Sequence, residues 1–259
     1  MMPVDLGSGA LLTLVPVSAI FGVALALAFV HWTDRARLRR TINRMIALVI
    51  EFRLFIDEPL LILRAQRELL KENVRLLALI SRPTAIAALV FLLCFPHLEA
   101  LYGRAPLPVG EPAIITAQLS RVVRAGQPTL AAPPVISVET PAVRALYTNQ
   151  VSWRIRPTGA FAGHIKLTGQ DGPLVKRIVS GTGVHYISAT RAGSWLAFLW
   201  NPVEWPLSSP AVVSISILYP TATILKLNWM IWFFSISTIA ALLAAALRAR
   251  VVTRRVVTT

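Results

Sequence analysis

Three apolar stretches without Asp, Glu, Lys or Arg constrain this chain more than any other feature; they cover residues 6–33, 83–98 and 227–247. A hydrocarbon core about 30 Å thick requires about 20 apolar residues in a helix that rises 1.5 Å per residue. The first and third stretches meet that length outright. We therefore expect an integral membrane protein with spanning helices at 8–33 and 227–247.

The middle stretch is shorter, with only 16 residues between Arg82 and the next charged residue, Glu99. An arginine at the edge of a span can extend its aliphatic stem and leave the guanidinium among the headgroups. The span then begins near residue 77, and we predict a second transmembrane helix at 77–98. The alternative is a buried or re-entrant segment, which would leave the following segment in the cytosol.

The basic residues predict the orientation. Residues 34–82 contain 11 Lys and Arg against 6 Asp and Glu, and the tail at 248–259 contains four Arg and no acid. Lys and Arg next to spans stay on the cytoplasmic side. We expect a multi-pass protein of the plasma (inner) membrane with its N-terminus outside and its C-terminus cytoplasmic. A cleavable signal peptide, with Ala26-Leu27-Ala28 as the cleavage-like triplet, is the alternative for the first stretch, but it would lack a basic n-region.

The segment at 34–82 is predicted to be a cytoplasmic antiparallel helical hairpin. Apolar residues recur at steps of four and three in the first helix, about 35–56, and Pro59 is placed to begin the second. The stripe of the first helix is Leu38, Ile42, Met45, Val49, Phe52 and Ile56, and that of the second is Leu60, Leu63, Leu70, Val74 and Leu77. We expect each stripe to pack in the hairpin.

Further apolar residues of the first helix lie outside its stripe, and they define a candidate partner-docking surface of Ile46, Ile50, Leu54 and Phe55. The alternative is that this surface packs on the second helix and on lipid headgroups. Arg53 and Arg82 are candidate contacts to lipid headgroups. The net charge of +14 is dispersed beside the spans, so it indicates the lipid bilayer as a partner and no nucleic acid.

The segment at 106–222 has the turn residues and alternating pattern of an extracytoplasmic β domain. Candidate strands are 113–119, 135–139, 145–156, 163–167, 173–179, 184–189, 195–199 and 212–218, with a possible last one at 223–227. Gln170-Asp171-Gly172 fits a tight hairpin turn. Seven to nine short strands are typical of an all-β sandwich or a small barrel. The predicted fold class is therefore an α+β integral membrane protein with three transmembrane helices, the cytoplasmic hairpin and a sandwich-like outer domain.

The sequence contains no motif for catalysis, cofactors or metals. His164, His185 and Asp171 could meet at a metal, but their spacing is not that of a ligand set. Trp195, Trp200 and Trp205 could form an aromatic ligand surface, although large aromatics more often belong to a core. The spans have no charged residue inside them, which disfavours a pump or a charge-gated channel. We predict no catalytic, cofactor-binding or metal residues.

The layout of residues 10–98 resembles the three-span members of the Oxa1 superfamily of membrane insertases. The resemblance consists of an outside N-terminus, a first span, a cytoplasmic helix pair and a second span. It implies a membrane-protein insertase or translocation factor. That family has a polar intramembrane groove, which Thr13, Ser18, Ser235, Ser237 and Thr238 hardly supply, and this chain inserts a large β domain between the second and third spans. Our first hypothesis is a non-enzymatic subunit or scaffold with protein partners in a membrane complex; an insertase is the alternative, and a membrane-anchored enzyme comes third.

Overall fold

The computed structural model describes residues 3–54, 59–120, 128–169 and 172–257. The chain divides into two compact units. The β unit consists of Met1–Pro16 and Cys94–Phe233, and the helical unit consists of Val17–Leu93 and Phe234–Thr259. The protein is of the α+β class, and three of its helices are long and apolar enough to cross a membrane.

The part of the chain that the structure describes has five α-helices. They are α1 (Gly9–Trp32), α2 (Arg35–Leu54), α3 (Pro59–Leu98), α4 (Trp195–Trp200) and α5 (Trp229–Val257). Asp34 separates α1 from α2 and caps α2, because its Oδ1 accepts hydrogen bonds from the backbone N–H groups of Ala36 at 3.0 Å and Arg37 at 3.1 Å. These bonds and the nearby Arg37 guanidinium hold the pKa of Asp34 below its usual range.

Helix α3 is one continuous element of 40 residues, about 60 Å long, so the predicted second hairpin helix and the predicted second span are a single helix. Pro83 lies inside α3. Proline has no backbone N–H, and the carbonyl of Leu79 therefore lacks its usual partner four residues along the helix. A turn of π-helix at Glu99–Gly103 follows α3.

Within the helical unit, α1 and α5 approach each other through small residues. A Cβ atom on Gly22 would lie 2.1 Å from the backbone oxygen of Ser237, and the Ser237 hydroxyl donates to the backbone oxygen of Ser18 at 2.9 Å. Small residues permit this spacing between membrane helices. The Phe91 ring of α3 lies 6.1 Å from Phe21 of α1 and 5.1 Å from Phe234 of α5 (centroid distances), so aromatic contacts join α3 to the other two helices.

The β unit contains eleven described strands in three sheets. They are β1 (Val4–Asp5), β2 (Ala113–Leu119), β3 (Thr129–Ala131), β4 (Ile136–Val138), β5 (Val143–Ala145), β6 (Gln150–Pro157), β7 (Phe161–Gly169), β8 (Gly172–Ser180), β9 (Thr190–Ala192), β10 (Val212–Ile217) and β11 (Ala222–Thr223). The largest sheet has the order β4-β6-β2-β10-β9, with β5 also paired to β6; the second has the order β3-β7-β8; β1 and β11 form a short parallel pair.

Buried side chains from the two larger sheets form one core cluster. The largest sheet contributes Ile115, Val151, Trp153, Ile155 and Ile215, and the three-stranded sheet contributes Ile165, Leu167 and Ile178. The alternating pattern of the segment at 106–222 is confirmed in β6 and β7, where Val151, Trp153, Ile155, Ile165 and Leu167 are all buried. Two sheets that share a core in this way have the arrangement of a sandwich.

Two predicted strands are absent, and a third departs from strict alternation. Trp195–Leu199 is not a strand but part of α4; the hydroxyl of Ser194, which caps this helix, accepts the Ala197 N–H at 3.1 Å. Residues 184–189 form no strand; β9 pairs with β10 instead, while the Ile187 N–H donates to the oxygen of Ala100 at 2.8 Å. Val213 is exposed because the register shifts between Val212 and Ser214, as at a β-bulge, so that Val212 takes the buried position.

The predicted hairpin joins β7 to β8, which pair antiparallel. Phe161 lies opposite Ser180 at one end, and Gly169 lies opposite Gly172 at the other. Gln170 and Asp171 of the predicted turn lie outside the described residues. Gly172 has a φ of 106°, a value that L side chains rarely adopt. The positive φ at the first residue of β8 therefore explains why residue 172 is a glycine.

Candidate functional site

Helices α2 and α3 of the helical unit are joined by ion pairs. Arg44 of α2 lies 3.4 Å from Glu72 and 3.9 Å from Glu68 of α3, and Arg75 lies 2.9 Å from the same Glu72. Glu72 is almost fully buried. Charged side chains therefore occupy the contact between these two helices, where the sequence predicted apolar stripes.

The predicted stripes are largely exposed. Among the described side chains of α2 and of the part of α3 before Pro83, the buried positions are Thr41 and Leu48 on α2 and Ala65 and Glu72 on α3; each pair is seven residues apart. The residues expected to pack lie outside this contact and are exposed; they include Ile42, Val49, Leu63, Leu70, Val74 and Leu77. The prediction that the two apolar stripes pack against each other was wrong. Apolar periodicity identifies the apolar face of a helix, but it does not identify what that face contacts.

Two of the four candidate docking residues lie on this exposed surface. Ile46 is 54% exposed and Ile50 is 63% exposed. Both line a shallow apolar groove on α2 that Leu76 of α3 closes on one side. Leu54 and Arg53 lie in the last turn of α2, where only the backbone is described, and Phe55 lies outside the described residues. Arg82 is an exposed residue of α3.

A cleft of about 400 Å³ lies between α2 and α3. Its lining consists of Arg37, Arg40, Thr41, Arg44, Glu72, Arg75 and Leu79. We call it the arginine cleft. Sequence reasoning placed the headgroup contacts at Arg53 and Arg82 and missed this cluster, because its members come from two helices and become neighbours only when those helices pack.

A second groove of the helical unit lies among α1, α3 and α5 and measures about 620 Å³. Its walls are almost entirely apolar although Thr84, Ser237 and Thr238 line it. The Thr84 hydroxyl donates to the oxygen of Ile80 at 2.7 Å, and the Ser237 hydroxyl donates to that of Ser18.

In the β unit, Lys176 of β8 is buried and fully partnered. Its Nζ donates to the backbone oxygen and to the hydroxyl of Ser188, each at 2.7 Å, and to the carboxylate of Glu204. Glu204 also accepts the Arg177 N–H at 2.6 Å and the Ser188 hydroxyl. Burial lowers the pKa of Lys176 to about 8, against the opposing attraction of Glu204.

A serine beside a lysine is also the arrangement of some hydrolases, in which an unprotonated lysine activates the hydroxyl. Here Lys176 and Ser188 are each only 1% exposed, and the Glu204 carboxylate accepts from both. A substrate has no access to either atom, and the adjacent carboxylate favours protonated lysine. The geometry is that of a buried ion pair that fastens the 201–206 loop to β8.

The tryptophans proposed as a ligand surface lie on the outside of the β unit, around α4. The Phe198 and Trp205 rings stack at a centroid distance of 5.5 Å, and Trp195 packs edge-on against both. Trp195, Trp200 and Trp205 are all more than half exposed. They are therefore not core residues.

The described residues do not support the possible metal site at His164 and His185. His164 is exposed on β7, His185 contacts the backbone oxygen of Thr182 at 3.1 Å, and Asp171 lies outside the described residues. Among the residues that the structure describes, no three His, Cys, Asp or Glu side chains are grouped so that they could hold a metal ion.

No known protein family, curated protein or solved structure matches this chain. The residues themselves therefore carry every functional argument. The arginine cleft and the exposed apolar surface of α2 and α3 are the two features of the helical unit on which such an argument can rest.

Proposed function

We propose that this protein is a non-enzymatic subunit or scaffold of a larger membrane complex. In this proposal α2 and the first half of α3 form a cytoplasmic helical arm, and the β unit lies outside the plasma (inner) membrane. The N-terminus is outside and the C-terminus is cytoplasmic, as the distribution of Lys and Arg favours.

The observation that carries the proposal is the uncovered apolar surface of the arm. Leu63, Leu70, Val74 and Leu77 follow each other at steps of seven, four and three, which is the spacing of a coiled-coil seam, and all four are exposed. Ile42, Ile46, Val49 and Ile50 form a second exposed set on α2. Exposed apolar surfaces of this extent mark interaction sites. The partner that fits is an amphipathic helix with an apolar seam of its own.

The alternative, an insertase, requires an intramembrane groove that accepts polar segments and helices. The groove among α1, α3 and α5 is almost entirely apolar. This property favours the scaffold.

Replacing the docking residues tests the proposal. We expect the double variant Ile46→Gln/Ile50→Gln to insert into the membrane normally and to lose its stoichiometric partners when the full chain is purified from its own host in mild detergent. Ala47→Gln is the matched control, because Ala47 is an exposed residue of the same helix that does not line the groove. A wild-type protein that purifies as a monomer without any stoichiometric partner would refute the scaffold.

The orientation has its own test. Cys94 is the chain's single cysteine, so a Cys94→Ala background permits labelling at one introduced cysteine. In intact cells whose outer envelope is opened, an impermeant maleimide should label Ser208→Cys at once and Lys71→Cys only after the membrane is permeabilised. Both positions are exposed in the structure. The reverse pattern would place the β unit in the cytosol.

A further inference from the structure

The arginine cleft has the charge of an anion site. Four arginines and one acid line it. Arg37 pairs with Asp34 at 3.0 Å, and Arg44 and Arg75 pair with the same oxygen of Glu72. Glu72 is itself buried, so it brings together two guanidinium groups from different helices. The lining therefore keeps a net positive charge.

These guanidinium groups keep hydrogen-bond donors for a ligand. Each carries five N–H donors, of which the ion pairs of Arg37, Arg44 and Arg75 occupy one or two. Arg40 uses its Nε to donate to the oxygen of Ala36 at 3.2 Å. The planar fork of a guanidinium matches the oxygen spacing of a phosphate group. The cleft can thus offer paired donors from both of its walls.

The arginine cleft lies close to the spans, which favours a phosphate group that belongs to a membrane lipid. Leu79, at one end of the cleft, lies four residues before Pro83, and Arg37 lies five residues after Trp32. Along a helix these separations are at most about 6 and 8 Å. The headgroup layer on each side of a bilayer is about 5–8 Å thick. Helical side chains lean toward the helix N-terminus, which brings the arginines of α2 closer to α1 and its span.

We infer that the arginine cleft binds the phosphate group of an anionic phospholipid, held by Arg37 and Arg40 from α2 and by Arg75 from α3. The inference depends on α1 and α3 spanning the membrane and not on the scaffold function. The same phosphate chemistry could also come from a soluble phosphate ester, and the experiment separates the two sources.

The test titrates the full-length protein in a neutral detergent with phosphatidylglycerol, with phosphatidylcholine and with glycerol 3-phosphate, and native mass spectrometry counts the bound molecules. We expect saturable binding of one phosphatidylglycerol, with weaker binding of the other two. Losing two charge-assisted contacts in Arg40→Gln/Arg75→Gln should raise the apparent Kd about tenfold or more.

Arg39→Gln/Arg67→Gln is the matched control, because it removes the same charge from the same two helices at exposed residues outside the cleft. The control should change the Kd by less than about twofold, as expected of screened surface charges. An equal loss in both pairs would show a general surface-charge effect and overturn the inference. Preferential binding of glycerol 3-phosphate, or no saturable binding at all, would overturn it as well.

A second measurement uses only the wild-type protein, so its result does not depend on whether the variants fold. Phosphatidylglycerol with a photoreactive headgroup should label residues 37–44 and 72–79, and excess unlabelled phosphatidylglycerol should suppress that labelling. Labelling that is spread over the exposed basic residues of α2 and α3, or that excess lipid leaves unchanged, would contradict a specific site.

Discussion

The two units use the same apolar residue types in opposite ways. In the β unit Ile155 is completely buried, whereas Ile50 of the helical unit is 63% exposed. The β unit covers its strands with its own second sheet, and its core cluster is enclosed. The helical unit leaves the apolar faces of its helices to be covered by something else. The two sheets of the β unit thus enclose their own core, while the helical unit leaves whole apolar faces exposed.

The charged side chains of the two units differ in the same way, because one is enclosed in the fold and the others are exposed. Lys176 lies in the β unit with all its donors used by Ser188 and Glu204. The arginines of the cleft lie at a surface with donors remaining. A buried charge must be neutralised within the fold, while an exposed one remains available to a ligand.

The largest effect should follow from removing Glu204. Glu204→Ala leaves Lys176 buried without its counter-charge, and the loss of one partner of such a pair costs about 3–5 kcal/mol in the free energy of unfolding. Thermal unfolding of the full chain in detergent, followed by near-UV circular dichroism, measures the loss. Glu111→Ala, at an exposed acid, should leave stability unchanged. A loss under about 1 kcal/mol for Glu204→Ala would mean that the pair does not hold the loop.

The same substitution made in both units tests the comparison directly. Ile155→Ala should lower the free energy of unfolding by about 2–5 kcal/mol because it opens a cavity in an enclosed core. Ile50→Ala should change it by less than about 0.5 kcal/mol and should weaken partner binding instead. Denaturant titration of both purified variants measures the first pair of values. Equal losses at the two positions would contradict the contrast between the units.

The pH dependence of stability should show that Lys176 is buried. Burial lowers its pKa from 10.5 to about 8, so between those values the unfolded chain binds more protons than the folded one. The contribution of Lys176 to the free energy of unfolding therefore rises with pH across this window, by up to about 3 kcal/mol, and is constant below it. Wild type and Lys176→Met/Glu204→Gln should differ in slope from pH 8 to 10; parallel curves would contradict a buried, charged lysine.

The smallest effect concerns the packing of the spans. Gly22→Ala forces α1 away from the Ser237 backbone, and we expect a cost of about 1–3 kcal/mol in resistance to unfolding by sodium dodecyl sulfate in mixed micelles. Gly9→Ala is the control in the same helix, because a Cβ there meets nothing within 4 Å. If both variants unfold at the same detergent fraction, α1 and α5 do not pack through Gly22.

The spans and most strands could be predicted because their signals are local. A run of uncharged residues identifies a membrane helix, and alternation identified the buried faces of β6 and β7. Residues 195–199 were misread because five apolar residues fit a strand or a helix equally well, and the Ser194 cap decides between them. The arginine cleft could not be predicted, since Arg40 and Arg75 are brought together only by packing.

Pro83 makes α3 easier to bend at one place. A helix bends most easily where a backbone hydrogen bond is missing, and the one that Pro83 removes lies between the arginine cleft and the uncharged stretch that begins at residue 83. The part of α3 before Pro83 can therefore change its angle to the part that follows while each part stays straight. In the proposed arrangement, this bend lets the arm follow a partner without disturbing the packing of the span.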